Sequence, residues 1–243
     1  MDKIKLVCIS DIHNRHKNID LPEGDLCVIC GDFQTNGYYI SELNDIKEWI
    51  SNVLVNKYQY TILIAGNHDR TLESWGNNFV HDYFESNGLY EKGVRYIQDE
   101  EIELIFEKKG KLHLYGSPYQ NYFCGWSWNI KDSEKLYMIY EQIPEGLDIL
   151  LTHVPPKNIL DKSHVNTMRN PTGEEPLGSK ELSLRLSEMV NPPRYHVFGH
   201  IHGDGGKTIT IGNTTYINAS ICNEEYQPVN SIITLDIEPK GGE

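Results

Sequence analysis

Residues 61–69, TILIAGNHD, begin as a short apolar run, Thr61 to Ala65, and pass without a spacer into Gly66-Asn67-His68-Asp69. A run of that length, ended by a turn-prone residue, predicts a buried strand with polar side chains at its carboxyl end. The same form recurs at Ile4 to Ser10, Leu26 to Cys30, Leu112 to Gly116, Asp148 to Thr152 and Tyr195 to Gly199. Helical periodicity fills some of the gaps. Ser41 is placed to cap a helix whose Ile46, Ile50, Val53 and Leu54 share one face. A second helix begins near Ser179 and carries Leu182, Leu186, Met189 and Val190 until Asn191-Pro192-Pro193 stops it. Gly212-Asn213 between Lys207–Ile211 and Thr214–Asn218 predicts a hairpin, and Ser231 to Ile237 a last strand. The pattern is α/β, with β-rich elements last. No repeat or linker divides the chain, so residues 1–238 read as a single domain and 239–243 as a short tail.

The 243 residues include 22 Lys and Arg against 35 Asp and Glu, a net charge of −13. Such a surface repels polyanions and anionic membranes, which argues against general nucleic-acid binding. The amino terminus lacks a secretory apolar stretch and no later run approaches membrane-spanning length; the expected location is cytoplasmic. Five scattered cysteines fit a reducing compartment. Cys27 and Cys30 have metal-pair spacing but lie three apart in an apolar strand, where they face opposite sides; core thiols are expected.

The ends of the apolar runs carry Asp11 and His13, then Asp32, then Asn67, His68 and Asp69, then His153, and finally His200 and His202. Singly these are ordinary turn chemistry. Together they are a site, because open α/β sheets gather the carboxyl ends of their strands at one edge. In extended backbone His200 and His202 would leave the same face with Cα atoms roughly 6.5 Å apart. Oxygen and imidazole donors without thiolate suit Mn²⁺ first, with Fe, Zn²⁺ or Ni²⁺ as alternatives. Seven donors exceed one tetrahedral ion and suit two divalent ions about 3.5–4 Å apart that share a carboxylate.

The series DxH, GD, GNHD, H and GHxH resembles the calcineurin-like metallophosphoesterases. The stretches AGNHD, YGSPYQ, IPEGLDILLTHVPP, HVFGHIH, INASICN and YQPVN are similar to the small metallophosphoesterase-domain-containing proteins related to class III cyclic-nucleotide phosphodiesterases. The resemblance runs from about residue 4 to residue 237. It implies the calcineurin-like phosphoesterase fold, a four-layer α-β-β-α sandwich of two mixed β-sheets flanked by helices. It also implies one ion on Asp11, His13, Asp32 and His202, and a second on Asp32, Asn67, His153 and His200. His68 would protonate the leaving oxygen and Asp69 would orient His68. Asp69 stands where these relatives often carry Glu, and Val154, where they often carry Gly, is expected to narrow the pocket.

The implied chemistry is attack of a metal-bridging hydroxide on a small phosphodiester, with cyclic nucleotides among the candidates. A phosphomonoesterase or protein phosphatase is the alternative, and a non-catalytic metal-binding scaffold a third. The protein is expected to be a monomer or homodimer. Tyr119, Tyr122, Phe123, Trp126 and Trp128 could stack a base or simply pack. Arg70 and Arg169 could reach phosphate or remain solvated. The segment from Pro155 to Gly178, long and without periodicity, is a candidate substrate loop.

Overall fold

A computed structural model describes residues 2–166 and 170–239. The apolar runs are too short for stable helices and have side chains to fill both faces, so they become strands buried on each side. In chain order the strands are β1 Ile4–Ile9, β2 Leu26–Cys30, β3 Tyr60–Ile64, β4 Val94–Tyr96, β5 Glu100–Phe106 and β6 Gly110–Ser117. Two short ones follow, β7 Gln120–Asn121 and β8 Asn129–Ile130, then β9 Ile149–Thr152, β10 Tyr195–Phe198, β11 Lys207–Ile211, β12 Thr214–Asn218 and β13 Ile233–Ile237. The helices are α1 Ile40–Trp49, which runs through a π-helical turn at Ile50–Leu54 into α2 Val55–Lys57, then α3 Arg70–Trp75, α4 Asn77–Ser86, α5 Ser133–Glu141 and α6 Lys180–Glu188.

One large sheet has the order β13-β1-β2-β3-β4, and the other β11-β12-β10-β9-β6-β5. The inner strands of both are parallel, while β13, β11 and β5 pair antiparallel. Alternation along each strand divides the apolar residues into layers. Leu6, Cys8, Val28, Cys30, Ile62 and Ile64 share a buried cluster with Leu112, Leu114, Ile149, Leu151, Val197 and Ile217, so the sheets pack face to face. The opposite faces are closed by helices: Val7, Cys27, Ile29 and Leu63 join Leu43, Ile46, Val80 and Phe84, while Leu150, Phe198 and Tyr216 join Leu136, Tyr140, Leu182 and Leu186. The result is the expected four-layer α-β-β-α sandwich. Cys27 and Cys30 fall in different layers, as strand geometry requires.

Two sequence expectations are corrected. Ser41 lies inside α1, and the cap position is Tyr39, which makes no side-chain cap. The segment from Ser179 does begin with its serine accepting the Leu182 amide at 3.3 Å, but α6 ends at Glu188 and Val190 is 83% exposed, outside the apolar stripe. Among the described residues no helix is long and apolar enough to cross a membrane.

Candidate metal centre

The parallel strands β1, β2, β3, β9 and β10 deliver their carboxyl ends to one edge, and each following loop carries donors. Four of those donors, Asp11, His13, Asp32 and His200, have left-handed backbone with φ of +54°, +45°, +52° and +67°. Such non-glycine conformations cost about 1–3 kcal/mol each and persist where the surroundings over-determine them. Here they are pinned: the amides of Asp11 and His13 donate to the carbonyls of Gly31 and Asp32 at 3.0 and 2.9 Å, and the His200 amide donates to Asp11 Oδ2 at 2.9 Å. The turn at His200 also corrects the extended geometry expected for 200–202, and it sends the two rings apart. Two glycines leave room for the carboxylates. A Cβ on Gly66 would collide with Asp32 and the His153 ring, and one on Gly199 with Asp11 and Ser10.

The structure brings all seven expected donors together. Asp11, His13 and His202 offer ligand atoms within 4.8 Å of one another, and so do Asp32, His153 and His200; a third overlapping group joins His13, Asp32 and His68. Asp32 belongs to two of these groups, where a shared carboxylate would have to stand. Asn67 Oδ1 lies 3.0 Å from His153 Nε2. The pair in GHIH therefore divides, His202 to one cluster and His200 to the other.

Backbone carbonyls set the imidazole tautomers. His13 Nδ1 donates to Gln34 O at 3.3 Å, His153 Nδ1 to Cys30 O at 2.8 Å and His202 Nδ1 to Asn223 O at 2.8 Å. Each Nε2 is thereby turned inward, the usual arrangement of a metal-binding histidine. His13 Nε2 and His202 Nε2 then meet at 3.3 Å, which requires a proton or a cation between them. His200 Nδ1 is buried without a hydrogen-bond partner, and buried Asp11 Oδ1 faces only the His202 and His13 rings, at 3.3 and 4.0 Å. Hard and borderline donors with orphaned lone pairs fit divalent metal ions.

Burial lowers the His153 pKa, but the Asp32 carboxylate outweighs it and holds the ring up at about 9. His202 is likewise lowered by burial and raised by Asp11, to about 9. Burial dominates at His13 and His200, whose pKa values fall to about 4 and about 3. At pH 7 the metal-free site therefore holds imidazolium at His153 and His202. A cation must displace those protons, so Mn²⁺ loading at pH 7 is expected to release at least about two protons per chain and to tighten as pH rises toward 9. Calorimetry in buffers of different ionisation enthalpy checks this; a pH-independent affinity would contradict it.

His68 lies beside this cluster, its amide donating to Asp32 Oδ1 at 2.7 Å and its Nδ1 to the Thr35 carbonyl. Asp69 does not touch the His68 ring, which corrects its expected role. Its carboxylate accepts the amides of Asp32, Gln34 and Gly66 at 2.8, 3.0 and 2.7 Å, and so braces the loops after β2 and β3. Orientation of His68 comes instead from Thr35, whose loop is held by Glu42 Oε2 accepting the amides of Thr35, Asn36 and Gly37. Val154 is also corrected: it is buried under α5 and α6 and does not line the pocket.

The aromatic cluster separates by role. Trp128 is buried and packs on Tyr119, Tyr122 and Phe123 are half-exposed at the pocket, and Trp126 stacks on His68. Arg70 is packed against Tyr38 and Trp126 and does not line the pocket; Arg169 lies outside the described residues. The segment between Pro155 and Gly178 supplies Ser163 and Leu177 to one wall. Sequence reasoning missed Ser220, whose hydroxyl donates to Asp11 Oδ2 at 2.7 Å, and Tyr226, whose ring lies 4.7 Å from His13. Both sit in stretches whose residues are not metal donors.

Comparison with known proteins agrees with this architecture. The chain is 36% identical over 246 residues to human Metallophosphoesterase domain-containing protein 1, covering 96% of this chain and 71% of that protein. It is 31% identical over 261 residues to a UPF0046 protein of Caenorhabditis elegans, covering 97% and 60%. Among solved structures, sulfate thiohydrolase SoxB from Thermus thermophilus superposes with a TM-score of 0.50 at 11% identity, over 98% of this chain and 54% of that one, a likeness of fold alone. Residues 4–204 match the calcineurin-like phosphoesterase family, a span that holds every donor from Asp11 to His202, and the chain belongs to that family.

Proposed function

We propose that the protein is a divalent-metal-dependent phosphodiesterase acting on a small ester. The family implies a phosphoester hydrolase, and the finer reading rests on the charge of the pocket. That cavity, about 290 Å³, is lined by Asp32, Asn67, His68, His200 and His202 together with Glu224, and among the described residues no Lys or Arg lines it. A phosphomonoester dianion gains from extra cationic side chains and is repelled by Glu224, whereas a diester carries one negative charge and is penalised less. Tyr122, Phe123 and Tyr226 line the cavity with aromatic rings, a wall suited to a planar group such as a nucleobase.

Two cations on the two donor sets would supply ionised water at neutral pH and Lewis-acid charge on the phosphoryl oxygens. The chain's own residues do the rest. Asp11 is held by the Ser220 hydroxyl and the His200 amide, which fixes its remaining oxygen toward His202, 3.3 Å away. His68, with Nδ1 committed to Thr35, presents Nε2 to the pocket as the proton donor for the leaving oxygen.

The direct test is turnover of bis(p-nitrophenyl) phosphate against p-nitrophenyl phosphate with Mn²⁺ supplied. Diester preference is expected. Monoester preference would favour a phosphomonoesterase or protein phosphatase, and no hydrolysis of either a scaffold. Glu224→Gln is expected to shift kcat/KM toward the monoester by about 5-fold by removing one negative charge from the wall. An unchanged ratio would show that Glu224 does not discriminate.

A further inference from the structure

The His68 ring is held in two ways. Its Nδ1 hydrogen bond to Thr35 leaves the imidazole free to swing about that bond. A second contact removes the freedom: the ring lies flat on the Trp126 indole, with centroids 4.0 Å apart and planes 24° apart. His13 meets it edge-on at 4.6 Å. The indole is fixed in turn. Asn129 Nδ2 donates to the Trp126 and Phe123 carbonyls at 2.8 and 3.0 Å, while Asn129 Oδ1 accepts the Phe123 amide at 3.1 Å. The Ser127 amide donates to Asn67 O at 3.3 Å, tying this segment to the residue before His68. The Arg70 guanidinium lies 4.4 Å from the indole centroid and 4.9 Å from that of Tyr38.

We infer that Trp126 is a positioning residue that holds the His68 imidazole, through its face, with Nε2 toward the leaving group. This rests on the reading of His68 as proton donor. As a water-derived hydroxide forms its bond to phosphorus, the P–O bond to the leaving group breaks, the electron pair stays on the departing oxygen and that oxygen takes a proton from Nε2, which solvent then replaces. Aromatic stacking restrains the orientation of the ring. An aliphatic side chain of similar bulk would fill the space without that restraint.

The test compares Trp126→Leu, Trp126→Phe, His68→Ala and the double variant Trp126→Leu/His68→Ala on Mn²⁺-loaded protein, with diesters of graded leaving-group pKa. Trp126→Leu is expected to lower kcat by about 10-fold on the poorest leaving group, with smaller losses as the leaving group improves and with KM and metal content retained. Trp126→Phe is expected to recover most of the loss. In the His68→Ala background Trp126→Leu should cost nothing further. A uniform loss across the series, or losses that add in the double variant, would overturn the assignment. The His68 ring C–H resonances of the Zn²⁺-loaded protein supply a readout independent of turnover. They should lie upfield in the wild type, move downfield in Trp126→Leu and remain upfield in Trp126→Phe. If the wild type cleaves no phosphoester the phosphodiesterase reading fails on its own, while unshifted resonances would refute the stack whatever the activity.

Discussion

Asp32→Ala is expected to reduce phosphodiester turnover by about 10³-fold or more and to lower the metal content together with it. Among the described residues, Asp32 alone groups both with His153 and His200 and with His13. Its removal also strands the His68 amide, which donates to Asp32 Oδ1 at 2.7 Å, and takes away the carboxylate that raises His153. Metal analysis after reconstitution should find the wild type near two ions per chain and Asp32→Ala well below that. His200→Ala, which disrupts the second cluster alone, should retain more metal than Asp32→Ala. Full metal content with unaltered turnover in both variants would contradict a dinuclear site.

His68→Ala is expected to keep its metals and to lose about 10²- to 10⁴-fold in kcat on esters with poor leaving groups, the usual range for a positioned general acid. The loss should shrink as the leaving group becomes able to depart without a proton. The separation of roles follows from the geometry, because His68 lies outside the seven-donor set, with its ring committed to Thr35 and Trp126. A leaving-group series on wild type and variant provides the measurement. Equal slowing at every leaving group would remove proton donation from His68.

The donors were legible in the sequence because each follows an apolar run that can only be a strand, and strand ends in such sheets converge. Side-chain direction was less legible. Left-handed backbone at His200 separates two rings that extended geometry would put on one face. The partners of Asp69 are amides of Asp32, Gln34 and Gly66, two of them more than thirty residues away, and no local pattern announces them. Val154 follows a donor just beyond the end of β9, yet it packs with Leu136, Tyr140 and Leu182 in the helix-covered layer. Strand β5 escaped because it is an edge strand whose acidic residues face outward, and its pattern is diluted by the exposed Ile105. Helix α5 did carry a signal, Asp132, whose carboxylate accepts the amides of Glu134 and Lys135 at 2.9 and 3.2 Å.

The pinned left-handed turns have an outcome for how cations come and go. Because amide and carbonyl partners already fix them, the cage is preassembled, unlike small zinc modules that fold only around their ion. Chelation should therefore empty the protein without unravelling it, and a different first-row ion can be exchanged into a standing mould.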